Sequence, residues 1–197
     1  MNVRGLYKSQ WDLHQNIATH NPDVLVLTET KLRRTNKDRT WLDVLLKNYH
    51  HWSAFDWTGG TTICIRKTLA LATQCLPTCH NSKGRIASVK IKGTNADLHL
   101  IGTYWPSGNS NGAIASRKEM QKQLQTLLDT HRDCTPLIIG DMNATFQTSD
   151  RSSNRTYRAD RMYLFSQFLP LQGRNLQTLD TSPSYWPRQK QQHKVHF

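Results

Sequence analysis

The sequence predicts an α/β chain: a two-layer mixed β-sandwich flanked by helices, on three observations. Val24-Leu25-Val26-Leu27 is apolar on both faces, as a central strand covered on both sides must be. Residues 85–92 and 97–104 each alternate about the turn Lys92-Gly93-Thr94-Asn95, the pattern of an antiparallel hairpin. Strand pairs interleave with helical stretches instead of following strict β-α-β order, which favours mixed sheets covered by helices.

The elements follow in order. Residues 11–20 place Trp11, Ile17 and Ala18 at near-helical spacing, and Asn21-Pro22 stops that helix before a strand at Asp23 to Thr28. A second helix is expected from Asp38 to Tyr49, with Trp41, Leu42, Leu45 and Leu46 facing inward. Gly59-Gly60 turns the chain into a β-branched strand, Thr61 to Arg66. After the hairpin, Met120, Leu124, Leu127 and Leu128 mark one face of a helix from about Ala113 to His131. A strand then begins after Pro136 with Leu137-Ile138-Ile139. Beyond a polar loop, a short helix is expected over Ala159 to Leu169, then an extended stretch around Ser184-Tyr185-Trp186 and a basic, Gln-rich end.

Composition bounds the partners. With 197 residues, one domain is the default; we assign it to 1–187, with 188–197 a basic tail or the start of a truncated strand. Apolar runs are only a few residues long, against the roughly 20 needed to span a bilayer, so no membrane is expected. Lys and Arg number 26 against 14 Asp and Glu, and this excess of +12 favours a polyanion. Cys64, Cys75, Cys79 and Cys134 form no paired framework, and Met1-Asn2-Val3-Arg4-Gly5 opens no secretory signal. Reduced thiols and an intracellular setting, nuclear or cytoplasmic, are expected. Cys75-x3-Cys79-His80 lacks a second ligand pair at zinc spacing, so buried small apolar thiols are the better reading.

Three strand ends carry chemistry, because each delivers polar groups directly after a buried run. Leu27-Thr28-Glu29-Thr30-Lys31 holds Glu29, one of only two glutamates, and a carboxylate at the mouth of a sheet is a hard-oxygen ligand for Mg²⁺ or Mn²⁺. Ile139-Gly140-Asp141-Met142-Asn143 places Asp and Asn two apart, where strand periodicity points both to one face. Asp141 then serves water and Asn143 a phosphoryl oxygen, the two needs of an in-line phosphodiester attack. Gly102-Thr103-Tyr104-Trp105-Pro106 ends a strand on a hydroxyl. Each has a blander reading when taken alone: a surface ion pair, an Asx turn, buried aromatic packing.

In this order the segments resemble the endonuclease/exonuclease/phosphatase superfamily, the group of exonuclease III, the abasic-site endonucleases and pancreatic deoxyribonuclease. Asn2 in Asn2-Val3-Arg4-Gly5 matches the asparagine ending that family's first strand. Glu29 matches its metal-binding glutamate, Tyr104 its active-site tyrosine, and Asp141 with Asn143 its catalytic aspartate and asparagine. The run from Gly140 to Ser152, with Asp150-Arg151, looks most like the endonuclease domains of non-LTR, LINE-type retrotransposons. The resemblance implies an exonuclease III or DNase I-like fold and a Mg²⁺-dependent phosphodiesterase, Mn²⁺ being the other candidate, that nicks DNA as a monomer. It also implies fusion to a reverse transcriptase in a full-length element. Arg4, Lys31, Arg33, Arg151 and Arg155 would meet flanking phosphates.

The family pattern continues with an Asp-bearing strand and a Ser-Asp-His segment that this sequence does not contain, and His193 and His196 stand in the wrong context to replace the histidine. The expectation is therefore a domain truncated at both ends, its C-terminal strands missing and its turnover severely impaired. The alternative is a non-catalytic DNA-binding remnant. A phosphatase of inositol lipids or a sphingomyelinase on the same fold is disfavoured by the basic balance.

Overall fold

The computed structural model describes residues 1–70, 75–80, 83–108 and 110–143. All but the last of these residues fall in one compact unit, Met1–Met142. The helix expected at 159–169, the stretch around Tyr185, the tail 188–197, the domain limit at 187, Arg151 and Arg155 lie outside the described residues.

The elements are α1 (Leu6–His20), β1 (Val24–Thr28), α2 (Asn36–Leu45), β2 (Tyr49–Ala54), β3 (Thr61–Arg66), α3 (Lys67–Ala70), β4 (Cys75–His80), β5 (Ile86–Ile91), β6 (Leu98–Tyr104), α4 (Asn111–Thr130) and β7 (Thr135–Asp141). They build two sheets, one ordered β1-β3-β2 and antiparallel, the other β4-β5-β6-β7. In the second sheet only the β6–β7 pairing is parallel. This is the expected mixed sandwich.

Its two layers meet through side chains at alternate positions. Val26, Ala54, Ile63 and Ile65 of the first sheet share a cluster with Ala87, Val89, Ile91 and Leu100 of the second. Gly102 permits a close approach. A Cβ there would stand 3.0 Å from Val26 Cγ1 and 3.1 Å from Ile63 Cγ1. The outer face of the first sheet turns Leu25, Leu27 and Cys64 toward Leu6 and Leu13 of α1 and Leu42 and Leu45 of α2. Full burial of each such leucine contributes about 1.5–3 kcal/mol. Cys64 and Cys134 are both buried free thiols, and burial pushes Cys64 well above the ordinary thiol range. Cys75 and Cys79 lie on β4, a strand the sequence reading did not foresee.

Two helices differ from expectation. α1 begins at Leu6 and buries Leu6, Leu13 and Asn16. Trp11 is 70% exposed and Ala18 is also exposed, so the inward stripe runs along the other side, with only Ile17 of the three named residues packed against the core. α2 runs over 36–45 and not 38–49, because Thr35 caps it by accepting the Asp38 amide at 3.2 Å and because Tyr49 already opens β2. Asp38 also accepts from Tyr7 Oη at 2.6 Å and from the Arg33 amide at 2.5 Å, tying α1 and the chain after Glu29 to the start of α2.

Candidate functional site

The geometry of the strand ends starts with the first five residues. Their backbone runs beside β1: Thr28 N–H donates to Met1 O at 2.9 Å, Val3 N–H to Thr28 O at 2.9 Å and Gly5 N–H to Glu29 O at 2.7 Å, with Asn2 bridged in parallel to Thr28. Asn2 therefore emerges beside Glu29. On the second sheet, the parallel register pairs Tyr104 with Asp141, and Trp105 N–H closes the pair onto Asp141 O at 2.9 Å. Both sheets thus deliver their polar ends to one place.

There, Asn2 Nδ2 donates to Glu29 Oε1 at 2.7 Å and to Asp141 Oδ2 at 2.8 Å. Tyr104 Oη donates to the same Glu29 oxygen at 3.0 Å, while Lys31 Nζ stands 3.5 Å from the other. Four residues scattered between positions 2 and 141 are joined by hydrogen bonds. Burial on its own raises the Glu29 pKa, but hydrogen bonds from Asn2 and Tyr104 and the Lys31 charge outweigh it, so Glu29 sits below the ordinary carboxylate value. Tyr104 is pushed up to about 12, first by burial and then by the Glu29 charge, so it remains a protonated donor at neutral pH.

Glu29 and Lys31 both adopt left-handed backbone, at φ 55° and 54°. Such conformations cost a non-glycine residue roughly 1–3 kcal/mol and persist only where the surroundings enforce them. Here the enforcement is visible. Lys31 N–H donates to Gly59 O at 2.7 Å, Thr30 N–H to Gly60 O at 3.3 Å and Gly5 N–H to Glu29 O. Arg4 and Asn143 are left-handed too, each at φ 48°. For Asn143 the backbone means that strand periodicity does not apply, since β7 ends at Asp141 and φ 48° is not strand backbone.

Of the expected phosphate-binding cations, Arg4 is exposed and its amide donates to Asn2 Oδ1 at 3.1 Å, Lys31 meets Glu29, and Arg33 is exposed on the segment held by Asp38. Sequence reasoning missed Arg85. Its guanidinium carbon lies 5.0 Å from the Tyr104 ring centroid, its Nη1 donates to Tyr104 O at 3.3 Å and its own carbonyl accepts the Tyr104 amide at 2.9 Å. The signal was present in the hairpin, whose register pairs Ile86 with Thr103 and so sets Arg85 opposite Tyr104.

The donor set suits a hard divalent cation. Two carboxylates share one neutral amide, which satisfies hydrogen bonds but does not cancel their charge, and all the ligand atoms are oxygens of the kind Mg²⁺ and Mn²⁺ prefer.

A model of the endonuclease/exonuclease/phosphatase family matches residues 1–191. The chain belongs to that family. Enzymes of the family generally use divalent metal ions. Among solved structures, this family member resembles an AP endonuclease from Leishmania major at 17% identity and a TM-score of 0.70, the match covering 86% of this chain and 64% of that one. A 3′ phosphatase from Neisseria bound to a product DNA hairpin is similar at 17% identity and a TM-score of 0.66, over 86% and 68% of the two chains. The catalytic domain of APE2 from Xenopus laevis is similar at 15% identity and a TM-score of 0.64, over 85% and 65%. At these identities the likeness establishes the fold. The chain thus spans less than two thirds of the Leishmania and Xenopus proteins. No curated protein matches the sequence. No helix among the described residues is long and apolar enough to cross a membrane.

Proposed function

We propose that the chain is a Mg²⁺-dependent phosphodiesterase that nicks DNA, of the kind carried by LINE-type retrotransposons, acting in an intracellular compartment. One observation carries this reading: the Asn2 amide holds the Glu29 and Asp141 carboxylates together, across 139 residues of sequence, at the shared end of two sheets. Glu29, with Asn2 beside it, would hold the cation, which when bound supplies positive charge to the scissile phosphoryl group.

The chain's own residues do the rest. Asp141 orients the attacking water and takes its proton. Tyr104, protonated throughout the neutral range, swings its hydrogen bond from Glu29 to a phosphoryl oxygen as negative charge develops there. Asn143 donates to the same phosphate once DNA is bound. Arg4, Lys31 and Arg33, with Arg151 and Arg155, engage neighbouring phosphates and set affinity without reading bases. The retrotransposon assignment is supported by the run Gly140-Asp-Met-Asn-Ala-Thr-Phe-Gln-Thr-Ser-Asp-Arg-Ser152.

The deciding assay is nicking of supercoiled plasmid. The expected result is conversion to open circles with Mg²⁺, none with EDTA, and loss in Asp141→Ala with DNA binding retained. Equal nicking by wild type and Asp141→Ala would overturn the assignment. Salt-dependent DNA binding with no cleavage in either would favour the DNA-binding remnant, to which the charge of +12 is equally suited.

A further inference from the structure

Trp57 presents a large apolar ring to solvent beside the site just described, at 66% exposure. Its loop, residues 55–60 between β2 and β3, is firmly built. The Asp56 carboxylate accepts the Thr58 amide at 3.0 Å and the Thr58 hydroxyl at 2.8 Å, and Asp56 O accepts the Gly59 amide at 3.2 Å. The loop is locked to both neighbours. Gly59 O and Gly60 O receive the Lys31 and Thr30 amides, and Gly84, just before Arg85, packs so closely that a Cβ on it would stand 2.4 Å from Asp56 Cβ.

This lock places Trp57 near the chemistry. A Cβ on Gly59 would lie 3.4 Å from the Tyr104 ring, and two residues of chain reach at most about 7 Å. The Trp57 Cα therefore lies within about 12 Å of the Tyr104 ring, on a loop bonded to the turn that carries Lys31 and packed against the residue before Arg85. An exposed aromatic face on a basic protein is a surface on which unpaired bases stack while nearby cations hold their phosphates. A paired base inside a duplex has both faces covered by its neighbours and offers no such surface.

We propose that Trp57 is a stacking platform for an unpaired base next to the scissile phosphate, so that the preferred substrate is a nucleic acid strand unstacked beside the cleavage point. The inference rests on the nuclease reading and adds a substrate class to it. The overall charge of +12 selects a nucleic acid over an apolar protein segment as the occupant of this ring.

The test uses the full chain and fluorescein-labelled oligonucleotides of one sequence, single-stranded or fully paired, with binding read by anisotropy in EDTA. Trp57→Ala should weaken single-strand binding by roughly 5-fold to 150-fold, the range that stacking of one base spans, and duplex binding by less than about 2-fold. Trp57→Phe should recover most of the loss, and melting curves of both variants should match wild type. Equal weakening on the two DNAs, or on neither, overturns the platform. Because binding is measured without cleavage, failure of the nuclease reading shows separately, as absent Mg²⁺-dependent nicking by wild type.

Discussion

Strands β6 and β7 run side by side and carry a polar cluster at each end, and the two clusters hold their carboxylates together in opposite ways. At the Leu98/Thr135 end, Lys90 Nζ sits 3.0 Å from Asp97 and 2.9 Å from Asp133. Its hydrogen bonds to Asp133 and Asp97 raise its pKa, and both carboxyls are pulled below their usual range by the same ammonium. At the Tyr104/Asp141 end, the group between two carboxylates is a neutral amide, Asn2, and Lys31 stands farther off at 3.5 Å. At one end an ammonium bridges both carboxylates, whereas at the other the ammonium meets only Glu29 and the bridge between the carboxylates is an uncharged amide. The difference also disposes of His131, Asp133 and Cys134, whose ligand atoms lie within 4.8 Å of one another: Asp133 is already paired with Lys90.

Four perturbations would break or sharpen this contrast, the first of them the largest. Gly140→Ala should be the most damaging, since a Cβ there would stand 1.8 Å from Thr103 O and must prise β7 from β6 just before Asp141. Thermal melting should fall steeply and Mg²⁺-dependent nicking should vanish with it. Asn2→Lys would copy the Lys90 arrangement at the other end. We expect nicking to drop by roughly 10²–10³-fold and the rise in melting temperature on adding Mg²⁺ to disappear, while the metal-free protein melts no lower than wild type. An undiminished metal-induced shift would mean that charge balance is not what distinguishes the two ends.

Lys90→Met should leave nicking unchanged and lower the melting temperature by a few degrees. The sign follows from the depressed Asp97 and Asp133 values: their contribution is complete above the unfolded carboxyl pKa and lost as pH falls through the folded one. The gap between wild type and Lys90→Met should hold steady from about pH 6 to 9 and close below about pH 4. The last perturbation concerns His99 and is confined to acid pH: its pKa is pushed down to about 4 by burial first and then by His131, whose ring centroid is 4.6 Å away. The unfolded chain takes up that proton near pH 6.5, so stability should decline as pH falls from there toward 4. His99→Gln should flatten that part of the melting-temperature profile, and an unchanged slope would exclude His99 as its source.

What the sequence made legible depended on the strength of each local signal. β1 and β3 were readable because Val24 to Leu27 and Thr61 to Ile65 are continuously apolar or β-branched. The β5–β6 hairpin was readable from alternation. β2 was not, since Tyr-His-His-Trp-Ser-Ala has too few aliphatic residues to separate from the helix before it. β4 was masked by Pro77, next to which the pairing register slips. Trp11 misled because aromatic size was taken for burial, whereas the helix turns Leu6 and Leu13 inward. In the site, Asn2, Glu29, Tyr104 and Asp141 could be named because each terminates a readable strand or matches a motif. Arg85 could not, because its importance lies in the residue across the hairpin. The left-handed backbone at Asn143 fits the Asx-turn alternative, since asparagine tolerates positive φ better than other non-glycine residues, but strand periodicity was read through it instead.

The left-handed Lys31 has a consequence for any attempt to make this protein hardier. A screen that rewards heat resistance would favour glycine there, which occupies φ 54° without penalty and keeps the amide bond to Gly59. The survivors would have shed the ammonium nearest Glu29, and robustness gained at that turn would be subtracted from the grip on the polyanion.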